Sequence, residues 1–238
     1  MGFPQDVRLD AVRIASGRFD DVIDVRSPSE FAEDHLPGAI NLAVLDDDQR
    51  AQVGTIYKQV SPFDARKLGA ALVAANAARH ISGPLADRDG SWRPLVYCWR
   101  GGQRSGALAT ILAQVGWRVA RVEGGYKSWR AQVIRRVQDL GFPSPVIVLD
   151  GNTGSAKTAI LARLAARGHQ VVDLEGLAHH RGSLFGHMGT QPGQKLFEGR
   201  LAAALEGLDP ARPVLVEAES SRIGDVTLPK AVWQAICA

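Results

Sequence analysis

Short apolar runs at Asp21–Val25, Pro94–Cys98, Arg118–Glu123, Val146–Asp150, Gln170–Leu174 and Pro213–Glu217 alternate with stretches of helical periodicity. These stretches lie at Asp64–His80, Arg104–Val115, Tyr126–Leu140, Lys157–Arg167 and Gln194–Leu208. Alternation of this kind predicts an α/β fold of parallel sheet flanked by helices. In the first helical stretch Leu68, Leu72 and Ala75 share one face, the spacing of a core stripe. Gly141-Phe142-Pro143-Ser144-Pro145 interrupts the pattern, and its prolines cannot continue a helix. It reads as a linker over 141–145 between a domain at 1–140 and a second at 146–238. Ser82–Arg93 is rich in Gly, Pro, Asp and Arg and reads as a surface loop. A length of 238 residues suits two domains at ~100–200 residues each. Roughly ninety residues follow the linker, fewer than nucleotide-binding α/β domains usually need, so the second domain is expected to be truncated on its C-terminal side. The last residues, from Trp233, read as a helix.

Apolar residues at 45% and charged residues at 22% exclude a disordered or collagen-like chain. A net charge of +3 neither requires nor excludes a nucleic acid. No apolar stretch approaches the ~18 residues of a membrane span, and the N-terminus lacks a signal-peptide core. A cytoplasmic location with no membrane partner is expected. The cysteines, Cys98 and Cys237, cannot build a disulfide framework and suit a reducing compartment.

Tyr97-Cys98-Trp99-Arg100-Gly101-Gly102-Gln103-Arg104-Ser105 joins an expected strand to an expected helix. Its glycines let the backbone curl with amides inward, forming an anion cradle from Trp99, Arg100, Gly101, Gly102, Gln103 and Arg104. The same field, with Arg104 and Arg100, lowers the Cys98 pKa and makes Cys98 the candidate nucleophile. Cys237 lacks basic neighbours and reads as inert. Asp24-Val25-Arg26-Ser27-Pro28-Ser29-Glu30-Phe31, with His35-Leu36-Pro37-Gly38-Ala39-Ile40-Asn41, resembles the N-terminal signature of the rhodanese superfamily. The Cys98 loop and Gly124-Gly125-Tyr126-Lys127-Ser128-Trp129 extend the resemblance across nearly all of 1–140. Common sulfurtransferases have four residues between cysteine and arginine. This chain has five, as do the related dual-specificity cell-cycle phosphatases, so a wider cradle for a tetrahedral or selenium-bearing donor is expected. Asp24, Arg26, Glu30 and His35 read mainly as scaffold.

Val146–Asp150 leads into Gly151-Asn152-Thr153-Gly154-Ser155-Ala156-Lys157-Thr158 and then a helix. This is the phosphate-loop pattern with Ala156 in place of its second glycine. Backbone amides would wrap a diphosphate, Lys157 would add charge and Thr158 a hydroxyl for Mg²⁺. Alanine is strained there if the loop needs positive φ. Glu217 and Glu219 at the end of a later strand are candidates to orient Mg²⁺ or water, or are solvated strand-end charges. His179-His180-Arg181 lacks zinc-ligand spacing and reads as an anion or RNA contact or an exposed loop.

A rhodanese-like parallel-sheet domain followed by a P-loop NTPase-like α/β domain resembles the tRNA 2-selenouridine synthase family. Gly54–Phe63 in the first domain and Asp173–Ser183 in the second also carry the resemblance. It implies replacement of sulfur by selenium in wobble 2-thiouridine of tRNA. Selenophosphate and geranyl diphosphate are the implied co-substrates, with an S-geranyl intermediate and a selenophosphate-supplying enzyme as partner. On that reading Cys98 handles the chalcogen and the Gly151–Thr158 loop grips the diphosphate. The alternatives are a general rhodanese sulfurtransferase, a cysteine-dependent phosphatase with a nucleotide module, or an inactive tRNA- or nucleotide-binding remnant.

Overall fold

The computed structural model describes residues 3–8, 17–152, 155–180 and 189–238. Its contacts divide the chain into two compact units, up to Trp129 and from Arg130. In the first unit β1 (Gln5–Val7), β2 (Asp21–Asp24), β3 (Ala39–Asn41), β4 (Pro94–Tyr97) and β5 (Ala120–Val122) form one sheet. Its order is β1-β5-β4-β2-β3, and every pairing is parallel. Central β4 is buried at all four residues, as expected of a parallel strand covered on both faces. Ile23, Val25, Val96, Leu108 and Leu112 lie in its core beside the edge-to-face pair Trp92–Trp117.

Helix Gln103–Val115 shows why the sequence pattern was readable. Ser105, Leu108, Ala109, Leu112 and Ala113 are buried at helical spacing, and the left-handed Gly116 at φ 118° ends the helix. Helix Pro62–Ser82 corrects the expected stripe. Its buried residues are Ala65, Val73, Asn76 and Ala77; Ala75 is exposed, and Leu68 and Leu72 are half-buried. On the face so buried, Asn76 Nδ2 donates to the Val44 carbonyl and Gln49 Oε1 at 2.9 and 2.7 Å. An interior that supplies such acceptors takes in a polar side chain.

In the second unit β6 (Val146–Leu149), β7 (Gln170–Val172) and β8 (Val214–Glu217) form a parallel sheet of order β6-β8-β7. β9 (Arg222–Ile223) and β10 (Val226–Thr227) form a separate antiparallel pair. Ile147 and Val148 of β6 are 49% and 36% exposed. The stretch expected to be one helix over 126–140 is α-helical at Gly125–Ile134 and then widens to a π-helix at Arg135–Leu140. That π-turn packs on helices Gln194–Glu206 and Lys230–Cys237, and Arg136 Nε donates to Glu206 Oε1 at 2.5 Å. Residues 130–140, placed with the first domain by the expected linker, therefore pack with the second unit. No helix among the described residues is long and apolar enough to cross a membrane.

Candidate functional site

Cys98 follows β4, at the carboxyl edge of the parallel sheet. Its side chain is 3% exposed. Burial alone raises a thiol pKa; here it is outweighed by the Ser105 hydroxyl, the amides of Ser105 and Arg100, and the Arg104 charge. The thiol is held below its ordinary value. The Ser105 hydroxyl lies 3.1 Å from Sγ, placed there because Ser105 lies on the buried face of its helix. Gly101 turns the loop at φ 69°. Gly125 presses against it from the next helix: a β-carbon there would collide with the Cys98 carbonyl oxygen and stand 2.5 Å from the Gly101 nitrogen. Tyr126 and Lys127 amides donate to the Cys98 and Trp99 carbonyls at 2.8 and 3.0 Å, pinning the loop's start.

Arg104 does not simply face the cradle. Its Nη1 donates to Glu30 Oε2 at 2.7 Å, and Arg50 reaches the same oxygen at 3.0 Å. Burial opposes ionisation of Glu30, but Arg104, Arg50 and Ser27 together hold its carboxyl below the usual range. Glu30 thus positions the loop arginine, beyond the scaffold role read from sequence. Asp24 and Arg26 are scaffold: both are buried and paired at 2.6 Å. His35 stacks on Phe31, with its Nδ1 2.8 Å from the Phe31 carbonyl. Beside Gln103 and Arg104 opens a cavity of about 340 Å³ whose other walls include Leu45, Val53, Ala65, Gly69, Ala70 and Val73.

In the second unit, Gly151, Asn152, Ser155, Ala156, Lys157 and Thr158 of the phosphate loop are described, whereas Thr153 and Gly154 lie outside the described residues. Lys157 Nζ donates to the Gly151 carbonyl at 2.6 Å and closes the loop on itself. Ala156 caps the helix Lys157–Ala166 at φ 62°, ψ 26°, so the positive φ that glycine would favour is present with alanine. Thr158 Oγ1 donates to Glu175 Oε2 at 3.3 Å. Carboxylate oxygens of Glu175, Glu217 and Glu219 lie within 4.8 Å of one another. Glu217 Oε1 accepts from the Glu175 amide at 2.9 Å, while its Oε2 is buried with no hydrogen-bond partner. Burial foremost, then neighbouring carboxylates, pushes Glu217 and Glu219 up to about 7. Hard oxygens gathered beside a threonine hydroxyl and a phosphate loop suit Mg²⁺.

Residues 10–132 match the rhodanese-like domain profile. The chain belongs to the rhodanese-like family. Residues 144–238, beyond the rhodanese-like part, match the profile described as the tRNA 2-selenouridine synthase AAA domain. The rhodanese-like chain is 40% identical over 94% of its length to the tRNA 2-selenouridine synthase of Shewanella loihica, covering 59% of that protein. It is 39% identical over 87% of its length to the enzyme of that name from Nitrosomonas europaea, covering 55% of it. It therefore spans little more than half the length of these curated relatives.

The structure brings Ser105, at the start of helix Gln103–Val115, up to Cys98, with Arg104 beside it on the same helix, and, in the other unit, Lys157 and Thr158 near Glu217 and Glu219. His179 is exposed at φ 50° as a helix cap. His180 is buried, which corrects its alternative reading as part of an exposed loop: its amide bonds back to the Glu175 carbonyl after the left-handed turn at His179. Arg181 lies outside the described residues. Cys237 is exposed. Sequence reasoning missed Glu175, Ser105 and Gly125 as site residues. Only the serine following the loop arginine and the Gly124-Gly125 pair offered a local signal for the last two.

Proposed function

We propose that this protein acts on tRNA carrying wobble 2-thiouridine and replaces its sulfur by selenium. Selenophosphate is the selenium donor and geranyl diphosphate the alkylating co-substrate. The observation that carries this reading is the buried Cys98 thiol, 3.1 Å from the Ser105 hydroxyl and held below its ordinary pKa by that hydroxyl, the Ser105 and Arg100 amides and the charge of Arg104, which Glu30 fixes in place. Such a loop holds the anionic part of a donor while the thiolate handles its chalcogen. The two-domain order shared with relatives named tRNA 2-selenouridine synthase supports the same conclusion.

Geranylation turns a thiocarbonyl into a better leaving group. The sulfur bonds to the terminal carbon of the geranyl chain, the carbon–oxygen bond breaks, and pyrophosphate departs. The selenium of selenophosphate then bonds to carbon two of the base, geranylthiolate leaves, and water cleaves the phosphorus–selenium bond to release phosphate. The loop Gly151–Thr158 is suited to the diphosphate, with Lys157 as its charge and Ala156 as its strained cap. Glu175, Glu217, Glu219 and Thr158 would hold Mg²⁺, which neutralises phosphate charge when bound.

The test is mass analysis of nucleosides from 2-thiouridine tRNA incubated with the protein, selenophosphate and geranyl diphosphate. The expected product is 2-selenouridine, absent with Cys98→Ser. Thiosulfate cleavage or phosphate-ester hydrolysis without any selenium in the RNA would overturn the reading in favour of a sulfurtransferase or a phosphatase.

A further inference from the structure

Trp99 directly follows the nucleophile, and its indole is 38% exposed. Among the described residues it makes one ring contact, stacking on Tyr126 with centroids 5.2 Å apart and planes inclined by 30°. Tyr126 itself is fixed. It is 3% exposed, its hydroxyl donates to Asp34 Oδ2 at 2.7 Å, and the Arg26 guanidinium carbon lies 4.1 Å from its ring centroid. Arg26 is immobilised in turn by Asp24 and the Asp34 carbonyl. The Trp99 carbonyl is tied to the Lys127 amide. The backbone of Trp99 is therefore tied down, and its ring rests on a partner that is itself fixed before any ligand arrives. An indole placed this way, left partly in water beside a reactive thiol, contributes less to the core than a buried one.

Chemistry on a nucleobase requires the base to leave its stack, and proteins hold unstacked bases against aromatic side chains. We infer that Trp99 is the platform on which the target pyrimidine of the RNA stacks, holding the reacting base over the Cys98 loop. This inference rests on the RNA reading above and names the group that receives the base. Trp99 is a positioning residue here; the thiolate remains the reacting group.

The test uses the 238-residue chain and two anticodon-loop RNA oligonucleotides. One carries 2-thiouridine at the wobble position and the other is abasic there. Fluorescence anisotropy gives the affinity of each for the parent protein, Trp99→Ala and Trp99→Phe. Loss of one base–aromatic stack should weaken the base-bearing RNA roughly 5- to 100-fold in Trp99→Ala, with Trp99→Phe recovering most of it. The abasic RNA should bind the parent and Trp99→Ala equally. Equal weakening of both RNAs would assign Trp99 to loop structure and overturn the inference, as would no weakening of either. If the parent protein binds neither RNA, the RNA reading itself falls and takes this inference with it. Selenation by the parent together with unchanged binding by Trp99→Ala would remove the stacking role alone.

Discussion

Ala156→Gly isolates the one position where the phosphate loop departs from its pattern. Ala156 stands at φ 62°, ψ 26°, where a β-carbon crowds the following carbonyl at a cost of about 1–2 kcal/mol. Glycine avoids that cost and is also the better helix N-cap. Its greater freedom in the unfolded chain offsets about 0.5–1 kcal/mol of the gain. The Ala156 side chain is exposed, so removing its methyl forfeits little packing. The balance predicts a net gain of about 0.5–1 kcal/mol, which for a unit of this size raises the melting midpoint by about 2–4 °C. A loop released from strain should also close more tightly on an anion. Scanning calorimetry of both proteins, following the transition of the second unit, measures the first effect. Titration with pyrophosphate measures the second. A glycine variant that melts no higher than the parent and binds pyrophosphate no more tightly refutes the strain argument.

Gly125→Ala should be severe, because the new methyl group meets backbone atoms of Cys98, Gly101 and Arg100 that no rotamer change can clear. A lowered melting point and a slowed or abolished alkylation of Cys98 by iodoacetamide are expected, and a variant matching the parent in both would disprove the contact. Ser105→Ala removes the hydroxyl 3.1 Å from Sγ. The alkylation rate of Cys98 should then titrate at higher pH than in the parent, and an unmoved midpoint would show that the hydroxyl does not stabilise the thiolate. Glu217 and Glu219 are pushed up to about 7 in the folded chain, against the ordinary glutamate value of about 4.3 when unfolded. Between those values the folded chain binds more protons, so their contribution to stability falls as pH rises through this window. Thermal melts from pH 4 to 8 should show that fall, and Glu217→Gln should flatten it; an identical slope in the variant would contradict the assignment.

Strands β2, β4, β5, β6, β7 and β8, the Cys98 loop and the phosphate loop were legible because their signals are local, whereas β1, β3, β9 and β10, of two or three residues each, were not read. An apolar run, a glycine-bearing turn and a helical stripe each follow from neighbouring residues. Even the positive φ at Ala156 followed from the motif, since the loop's path is set by its own backbone. Helix Pro62–Ser82 was read correctly as a helix, and Leu72 of its expected stripe packs against the core, but the fully buried positions are Ala65, Val73, Asn76 and Ala77. Apolar periodicity cannot reveal that Asn76 will find acceptors at Val44 and Gln49.

The site's electrostatics depended on partners distant in sequence. Glu30 and Arg104 are 74 positions apart, and Glu175 reaches Glu217 across 42; nothing local to either member specifies the pairing. Likewise Gly125 explains the shape of a loop that precedes it only after parallel pairing of β4 and β5 brings the two together. By itself the sequence determined which groups could do chemistry: a thiol in a glycine- and arginine-bearing turn and a lysine in a phosphate loop. Tertiary structure decided how readily the Cys98 thiol ionises and which way these groups point, because burial, orientation and the charges a few ångströms away in space are set only by the folded chain.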